Sequence, residues 1–308
     1  MRLVFAGTPA AAVPTLRALA TRHEIVGVVT RPDAPLGRRR VLTPSPVAAA
    51  AEESGLPVIR AARLDEPATE AVSRLRAELG VIVAYGGIVR EPLLSLPEHG
   101  WINLHFSLLP AWRGAAPVQR ALIAGDAELG VSVFQLVPEL DAGDVFAARP
   151  VAVPADATAD DALTLLAGEG AALTADVVDA IAAGTASATP QQGIPTLAPK
   201  LRLEDGLLDW TQPLDSVYAR YRGVTPEPGA HTTLAGARLK ILAAAPADAS
   251  VAPALSPGEM RGEKTSVLIG TATGALAVTR VQPAGKGPMS AADWWRGLRT
   301  AASVRVGS

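Results

Sequence analysis

An apolar run over Gly80–Tyr85 constrains the fold more than any other feature of the chain. A strand that is apolar at every position has to be covered on both faces, which is typical of the parallel strands of α/β proteins. Strand-like and helix-like segments alternate before it, beginning with a strand over Arg2–Gly7, a helix over Val13–Thr21 and a strand over Glu24–Thr30. This order predicts an α/β domain with a parallel-rich sheet.

The alternation continues as far as Ala183. We predict further helices over Pro46–Ser54, Pro67–Leu79, Ala116–Ala124 and Thr158–Ala183, and strands over Pro57–Arg60, Trp101–His105 and Val131–Val137. Glycine, proline and small polar residues then dominate 184–199, where no apolar periodicity remains. We therefore predict a first domain over residues 1–188, a linker over 189–206 and a second domain over 207–308.

The second domain has the pattern of a mainly β structure. A predicted helix over Leu214–Tyr221 precedes short β-type runs whose spacing is typical of a small barrel or sandwich, over Ala230–Leu234, Ala237–Ala243, Ser266–Thr271 and Ala275–Val281. Residues 201–308 hold 12 Lys and Arg against 9 Asp and Glu, whereas residues 1–200 hold 16 against 21. This asymmetry permits a basic auxiliary domain but does not by itself indicate one.

Composition excludes several classes of site. The chain has no cysteine, so it has no disulfide, no thiolate metal site and no cysteine nucleophile, and this suits a reducing cytoplasm. No apolar stretch is long enough to span a membrane. Gly7, Thr8, Pro9 and Pro14 interrupt the apolar N-terminus, so we expect a buried first strand there rather than a secretory signal.

His105 is the candidate for chemistry among four histidines. It ends the predicted strand Trp101–His105, and Asn103 lies on the same face by the period of two. Ligands of α/β sheets bind beyond the carboxyl ends of the strands, which is where His105 falls. The alternative is a strand-end histidine whose ring is satisfied by backbone groups.

A carboxylate should reach the same edge, because Asp141 and Asp144 follow the predicted strand Val131–Val137. A carboxylate beside an imidazole favours its charged form, and an amide donor polarises a carbonyl oxygen, so Asn, His and Asp together suit acyl transfer. We expect the pKa of His105 to lie above its ordinary value of about 6.5 for this reason. Alternatively either aspartate caps a turn before Gly143, which we prefer for Asp144.

The segment Asn103–Arg120, NLHFSLLPAWRGAAPVQR, resembles the signature of folate-dependent formyltransferases. Its extension Trp112–Pro117 is similar to the branch of that family that acts on methionyl-tRNA. The resemblance continues through most of the chain, in Phe5–Pro9, Val83–Gly86, Leu140–Asp144, Gln282–Lys286 and Met289–Ala291. It implies a Rossmann-like formyltransferase domain followed by a smaller OB-like β-barrel domain that holds tRNA.

The resemblance also implies a reaction. The amino group of methionine on initiator methionyl-tRNA would attack the formyl carbon of 10-formyltetrahydrofolate, for translation initiation, without a covalent enzyme intermediate and without a metal. The family's catalytic residues fall on Asn103, His105 and Asp141. The folate contacts fall on Ser107, Leu108, Leu109 and Pro110, with the backbone around Tyr85, Gly86 and Ile88 added. We expect a monomer in the cytoplasm with no membrane partner.

The run Arg31–Arg40 is basic and rich in proline. Most such runs are solvated loops. In the family, a basic insertion at this place reaches toward the acceptor end of the tRNA, and Arg38 matches its most directly implicated residue. Arg38, Arg39 and Arg40 are therefore the expected tRNA contacts, since guanidinium groups bind phosphates well.

The sequence departs from the family at Ala10 and Ala11, where members often have an acidic residue and an aromatic. That puts in doubt an aromatic contact to the methionyl group at this place. Gly7-Thr8-Pro9 also lacks the Gly-x-Gly-x-x-Gly pattern of dinucleotide sites. Two alternatives stay open: another user of formylfolate, acting on glycinamide ribonucleotide, an amino sugar or water, and a non-catalytic tRNA-binding protein. The basic loop and the second domain argue against the first, and the three catalytic residue types argue against the second.

Overall fold

A computed structural model of the chain describes residues 1–37, 40–248, 255–298 and 305–307. Its contacts divide the chain into two compact units. The first unit consists of Met1–Pro117, Glu128–Val153 and Leu163–Pro199, and the second of Val118–Ala127, Pro154–Ala162 and Lys200–Ser308. Each unit therefore contains chain segments from both sides of residue 150.

Eleven strands and five α-helices are described up to Pro199. The strands are β1 (Arg2–Gly7), β2 (Glu24–Thr30), β3 (Ala34–Leu36), β4 (Val41–Thr43), β5 (Val58–Arg60), β6 (Leu79–Val83), β7 (Trp101–His105), β8 (Arg113–Gly114), β9 (Leu129–Gln135), β10 (Val145–Val151) and β11 (Leu197–Ala198). The helices are α1 (Val13–Ala20), α2 (Pro46–Glu53), α3 (Glu66–Leu75), α4 (Pro117–Ala124) and α5 (Ala159–Ala182), and a 3-10 turn covers Ala10–Ala12.

The main sheet of the first unit has seven strands in the order β10-β9-β7-β6-β1-β2-β5. Every neighbouring pair from β7 to β5 is parallel, whereas β9 is antiparallel to both β7 and β10. The predicted parallel-rich α/β domain is therefore confirmed. Strand β10 was not predicted, because its half-buried sequence VFAARPV has neither an apolar run nor a clean alternation.

Two predicted boundaries were wrong for the same reason. Helix α3 ends at Leu75 rather than Leu79, and β6 ends at Val83 rather than Tyr85. Arg76 and Ala84 each follow with a φ near +48°, at 49° and 47°, in the left-handed region. A residue there cannot continue a helix or a strand, and hydrophobic periodicity does not detect it.

Strand β6 contains most of the apolar run from which we predicted a covered parallel strand. All five of its residues are buried between β1 on one side and β7 on the other. The fully buried Trp101 packs directly over Gly80, and its indole N–H donates to the Leu93 carbonyl at 2.8 Å. The indole is thus fixed at its polar end and leaves no room for a side chain at position 80.

The second unit is built on an antiparallel sheet. Its strands are β12 (His231–Leu234), β13 (Ala237–Pro246), β14 (Met260–Gly262), β15 (Val267–Gly270), β16 (Ala275–Pro283) and β17 (Met289–Ser290), in the order β12-β13-β16-β15-β14 with β17 beside β16. Helices α6 (Leu214–Gly223) and α7 (Ala291–Gly297) pack on its core through Val217, Tyr221 and Trp294. The mainly β character predicted for this region is confirmed.

The contact boundary at Pro199 lies inside the predicted linker 189–206. Thr189 forms a β-bridge with Val145, and β11 pairs in parallel with β8, so residues 189–198 are attached to the first unit. The extent of the linker and of the domains that it joins stays a prediction. Among the described residues, none of the helices combines the length and apolar character that a membrane crossing needs.

We predict that Gly80→Ala destabilises the protein by about 1–3 kcal/mol, because the added Cβ would lie 2.1 Å from an indole atom of the fully buried Trp101. The control is Gly168→Ala on the exposed face of α5, where the added Cβ meets nothing within 4 Å. Alanine there should raise stability by about 0.5–1 kcal/mol. Denaturant midpoints of the three proteins test this, and equal midpoints would contradict it.

Candidate active site

Strand β7 carries the first two candidate residues, Asn103 and His105, two positions apart. Opposite them on antiparallel β9 lie Phe134 and Ser132, respectively. The His105 ring is buried, with 5% of the residue exposed, and it meets the Phe134 ring edge-on with 6.3 Å between centroids. The pairing on β9 thus sets both the position and the dry surroundings of the imidazole.

Asp141 lies in the turn that follows β9, with φ at 47°. Its Oδ2 accepts the Gly114 N–H at 2.8 Å and lies 3.8 Å from His105 Nδ1. The second separation is too long for a hydrogen bond, so the carboxylate acts on the ring through its charge. The structure therefore brings the predicted pair His105 and Asp141 together, while the Asp144 side chain is exposed.

The backbone determines which ring nitrogen of His105 carries the proton. Nε2 lies 2.9 Å from the Trp112 carbonyl oxygen, which can only accept a hydrogen bond. The neutral ring therefore donates from Nε2 and has an unprotonated Nδ1 on the side of Asp141. A backbone carbonyl thus satisfies one ring nitrogen of His105, as we expected for a strand-end histidine without a catalytic role. The other ring nitrogen is able to accept a proton.

Burial lowers the pKa of His105 below its ordinary value, although Asp141 and the Trp112 carbonyl act to raise it. Our prediction of a raised pKa was wrong, because desolvation of a nearly enclosed ring outweighs a carboxylate 3.8 Å away. The imidazole is consequently neutral near pH 7. A neutral imidazole with an open Nδ1 can accept a proton, and the resulting cation would face the Asp141 carboxylate.

Asn103 has an incomplete hydrogen-bond set. Its Oδ1 is buried and has no partner within the described part of the chain. A buried acceptor without a partner costs about 1–3 kcal/mol, so a ligand that supplies a donor at this place would be favoured. The amide can accept through its oxygen and donate through its nitrogen, and both suit a reacting carbonyl and amine.

Residues 189–198 hold the loop that carries the Trp112 carbonyl. Trp112 has φ at 61°, and its N–H donates to Thr196 Oγ1 at 2.8 Å. Gly114 has φ at 128°, and a Cβ there would lie 2.7 Å from the Ala198 carbonyl oxygen, so glycine is required. Sequence reasoning missed these contacts, since small polar residues and prolines at 189–198 have the composition of a linker.

The turn after β7 contains the predicted folate contacts Ser107, Leu108, Leu109 and Pro110. Ser107 is buried, and its Oγ donates to the Ala111 carbonyl at 2.6 Å. Ser132 fixes the turn from β9 by donating to the Ser107 carbonyl at 2.8 Å and accepting the Leu109 N–H at 3.1 Å. Leu108 and Pro110 are half-buried. The turn is therefore ordered by a contact of its own Ser107 and by Ser132 of β9.

The turn after β6 contains Tyr85, Gly86 and Ile88. The Tyr85 ring lies in the core and its hydroxyl donates to the Ala61 carbonyl at 2.7 Å, so only its backbone can face a ligand. Arg31 donates to the Gly86 carbonyl at 2.5 Å, a contact that its place in the basic run did not predict. Ile88 is 70% exposed. Because β6 and β7 are neighbouring parallel strands, both turns lie at the same edge of the sheet.

The predicted tRNA contacts are only partly described. Arg38 and Arg39 lie outside the described residues, whereas Arg40 is exposed in the turn between β3 and β4. The hairpin of β3 and β4, which was not predicted, exposes the apolar side chains of Leu36, Val41 and Leu42.

Ala10 and Ala11, where the sequence departs from the family, begin a 3-10 turn. Within the described ranges, no three His, Asp or Glu side chains are grouped as metal ligands.

Comparison with known proteins identifies the family. The formyl transferase model matches residues 1–178, and the formyl transferase C-terminal domain model matches residues 200–299. The methionyl-tRNA formyltransferase of Leifsonia xyli subsp. xyli is 62% identical over 297 residues, which cover 96% of this chain and 97% of the relative. The chain belongs to the methionyl-tRNA formyltransferase family.

One further relative agrees with this assignment, and one solved structure shares the fold. The methionyl-tRNA formyltransferase of Clavibacter sepedonicus is 60% identical over 301 residues, covering 97% of this chain and 98% of the relative. The N-formyltransferase of Helicobacter canadensis, solved with folinic acid and dTDP-3-aminofucose, superposes with a TM-score of 0.69 at 16% identity and covers 91% of this chain and 98% of that one. At this identity the likeness concerns the fold, and the first unit is accordingly a Rossmann-like formyltransferase domain.

We predict that His105 titrates below about 6.5, because burial disfavours its charged form, and that Asp141→Asn lowers its pKa further by removing a neighbouring negative charge. Histidine ring NMR against pH measures both values, with His105→Gln to assign the signal. Asp144→Asn, which neutralises an exposed carboxylate three residues away, should leave the His105 titration unchanged. A higher His105 pKa in Asp141→Asn would contradict the assigned geometry.

Proposed function

We propose that this chain transfers the formyl group of 10-formyltetrahydrofolate to the amino group of methionine on initiator methionyl-tRNA, in the cytoplasm, for translation initiation. The observation that carries the proposal is the buried neutral His105, whose open Nδ1 faces the Asp141 carboxylate at 3.8 Å. The acceptor is inferred from full-length relatives at 62% and 60% identity that are methionyl-tRNA formyltransferases.

The reaction needs a proton acceptor at this place. The bond from the amine nitrogen to the formyl carbon forms while the bond from that carbon to the folate nitrogen breaks. One proton leaves the amine and one reaches the folate nitrogen, so nothing else is consumed. His105 Nδ1 takes the first proton, Asp141 stabilises the imidazolium, and the same nitrogen supplies the second proton. No metal is required for this sequence of proton transfers.

Asn103 supplies hydrogen bonds in this mechanism. Its amide N–H donates to the formyl oxygen as negative charge develops there, and its buried Oδ1 accepts an N–H of the incoming amine. The second contact would complete the hydrogen-bond set that the protein alone leaves open. Because the formyl group is already activated by the folate, holding two large substrates in place supplies much of the acceleration.

The folate site that we propose lies between two turns at one sheet edge. Ser107, Leu108, Leu109 and Pro110 follow β7, and the backbone of Tyr85 and Gly86 with the exposed Ile88 follows β6. Ligands of α/β sheets bind at this edge. Both turns are fixed by side chains from elsewhere, Ser132 and Arg31, which favours a preformed pocket.

We further propose that residues 207–308 form an OB-like domain that contributes tRNA affinity, while residues 1–188 contain the catalytic side chains. The antiparallel sheet and the excess of three basic groups over residues 201–308 support this division. Arg38, Arg39 and Arg40 would add phosphate contacts from the first unit. We propose a monomer, since one chain contains each of the three catalytic side chains.

The test of the function is to incubate the purified protein with 10-formyltetrahydrofolate and methionyl-tRNA and to separate the products on an acid gel. Formylmethionyl-tRNA is expected, in amounts that match the folate consumed. Glycinamide ribonucleotide, an amino-sugar nucleotide and water serve as competing acceptors. Faster transfer to any of these would replace the proposed acceptor, and no turnover with any acceptor would favour a non-catalytic tRNA-binding protein.

We predict that Asn103→Ala lowers the single-turnover rate by about 10²–10³, the usual loss for one oxyanion donor. His105→Ala should lower it more, because the proton acceptor is lost as well. Asp141→Asn removes a carboxylate that lies 3.8 Å from His105, whereas Asp144→Asn removes one that is exposed. Only Asp141→Asn should therefore slow transfer. Retention of more than about a tenth of the rate in His105→Ala would refute the catalytic assignment.

We predict that Arg38→Ala weakens tRNA binding without destabilising the fold, because a guanidinium that binds phosphate contributes little to folding. The logarithm of the apparent tRNA affinity falls with the logarithm of the salt concentration, and the slope of this dependence should become shallower by about 0.7–0.9, the value of one phosphate contact. Thermal unfolding provides the control. A loss of stability in proportion to the loss of activity would instead make this arginine structural.

A further inference from the structure

We propose that Gln191 is a positioning residue of the active site, which fixes the Asp141 turn and, through it, the carboxylate beside His105. The inference rests on the proposed function, since it assigns a residue to the same reaction. Gln191 lies in the segment whose composition predicted a linker. Its hydrogen bonds go to Arg113, Asp141 and Gly143, so its effect on the reaction is transmitted through Asp141.

The side-chain amide of Gln191 is fully engaged by two separate parts of the site. Its Nε2 donates to the Asp141 carbonyl at 2.8 Å and to the Gly143 carbonyl at 2.9 Å. Its Oε1 accepts from Arg113 Nε at 3.1 Å and Nη2 at 2.6 Å. The two ends of the amide cannot be exchanged, because the oxygen must face the guanidinium and the nitrogen the carbonyls.

These contacts close a ring around the catalytic carboxylate. Arg113 precedes Gly114, whose N–H donates to Asp141 Oδ2 at 2.8 Å. Gln191 also joins Arg113 to the Asp141 backbone. The Asp141 turn is therefore connected to strand β8 twice, once through the carboxylate of Asp141 and once through its main chain. The carboxylate consequently has one orientation, with Oδ2 toward Gly114 and His105.

The Asp141 backbone needs this support. Its φ of 47° lies in the left-handed region, which costs a residue with a side chain on the order of 1 kcal/mol or more. The Gly143 position is also closely confined, because a Cβ there would lie 1.8 Å from the Gln135 carbonyl oxygen. A donor that holds both carbonyls at once keeps the turn in this conformation when no substrate is present.

The same segment holds the other side of His105. Thr196 accepts the Trp112 N–H at 2.8 Å, and the Trp112 carbonyl contacts His105 Nε2 at 2.9 Å. One stretch of ten residues, 189–198, thus contacts the neighbours of both imidazole nitrogens. A segment that merely joined two domains would have no reason to make this pair of contacts.

The decisive variants remove the two functions of Gln191 separately. Gln191→Met keeps the volume and loses all four hydrogen bonds, whereas Gln191→Glu keeps an acceptor for Arg113 and loses the donor to the Asp141 and Gly143 carbonyls. The control is Gln192→Met, the same substitution at the exposed neighbouring residue. Each variant is made in the full chain and assayed for single-turnover transfer with saturating folate and tRNA.

We expect both Gln191 variants to transfer about 10- to 10²-fold more slowly, the loss that a small misplacement of a reacting group produces. Their apparent affinities for folate and tRNA should stay within about twofold of the wild type, and Gln192→Met should match the wild type. Added to Asp141→Asn, the Gln191→Met change should cost less than about twofold, because residues that act through one another are not additive.

Hydrogen exchange measured by mass spectrometry supplies a readout that does not depend on turnover. Gln191→Met should speed exchange in peptides covering 112–116 and 140–144, and Gln192→Met should not. Unchanged exchange with a wild-type rate, or the same fold-loss with and without Asp141→Asn, would overturn the proposal. A wild-type protein that formylated no methionyl-tRNA would overturn the proposed function instead, while the exchange result would still decide whether Gln191 holds the turn.

Discussion

A buried imidazole stays neutral without cost only if its N–H has an acceptor, and the rest of this candidate active site depends on that bond. The Trp112 carbonyl accepts it from His105 Nε2 at 2.9 Å and so leaves Nδ1 open toward Asp141. That carbonyl points at the ring because Trp112 adopts a φ of 61°, which Thr196 supports through the backbone N–H. The tautomer of His105 is therefore set by a segment far along the chain.

Burial lowers the pKa of His105 and the charge of Asp141 raises it, and burial has the larger effect. The consequence for stability follows from linkage. The unfolded chain binds more protons than the folded one between the lowered pKa and about 6.5, so the stability that a neutral His105 contributes is present above about 6.5 and is lost as pH falls. The protein thus holds a neutral imidazole at neutral pH and becomes less stable in acid through the same residue.

The sequence predicted most elements of the first sheet because its strands are apolar and its helices have clear signals, as in Leu79–Val83 and Pro46–Glu53. It also predicted the pairing of His105 with Asp141, since strand ends of one sheet edge lie together. It did not predict the depressed pKa, because desolvation depends on how completely Phe134 and its neighbours enclose the ring. Nor did it predict Gln191, because a hydrogen-bonding role cannot be distinguished from a solvated linker by composition.

The charge distribution limits how such a protein can recruit a polyanion. The net charge is −2, and the excess of acidic over basic groups lies in residues 1–200, so the chain has no overall attraction for tRNA. At physiological salt, charges also act over only about 8 Å. In a chain of this charge, basic groups have to reach the phosphates directly to attract a polyanion. Short-range contacts of this kind depend on the shape of the nucleic acid as well as on its charge.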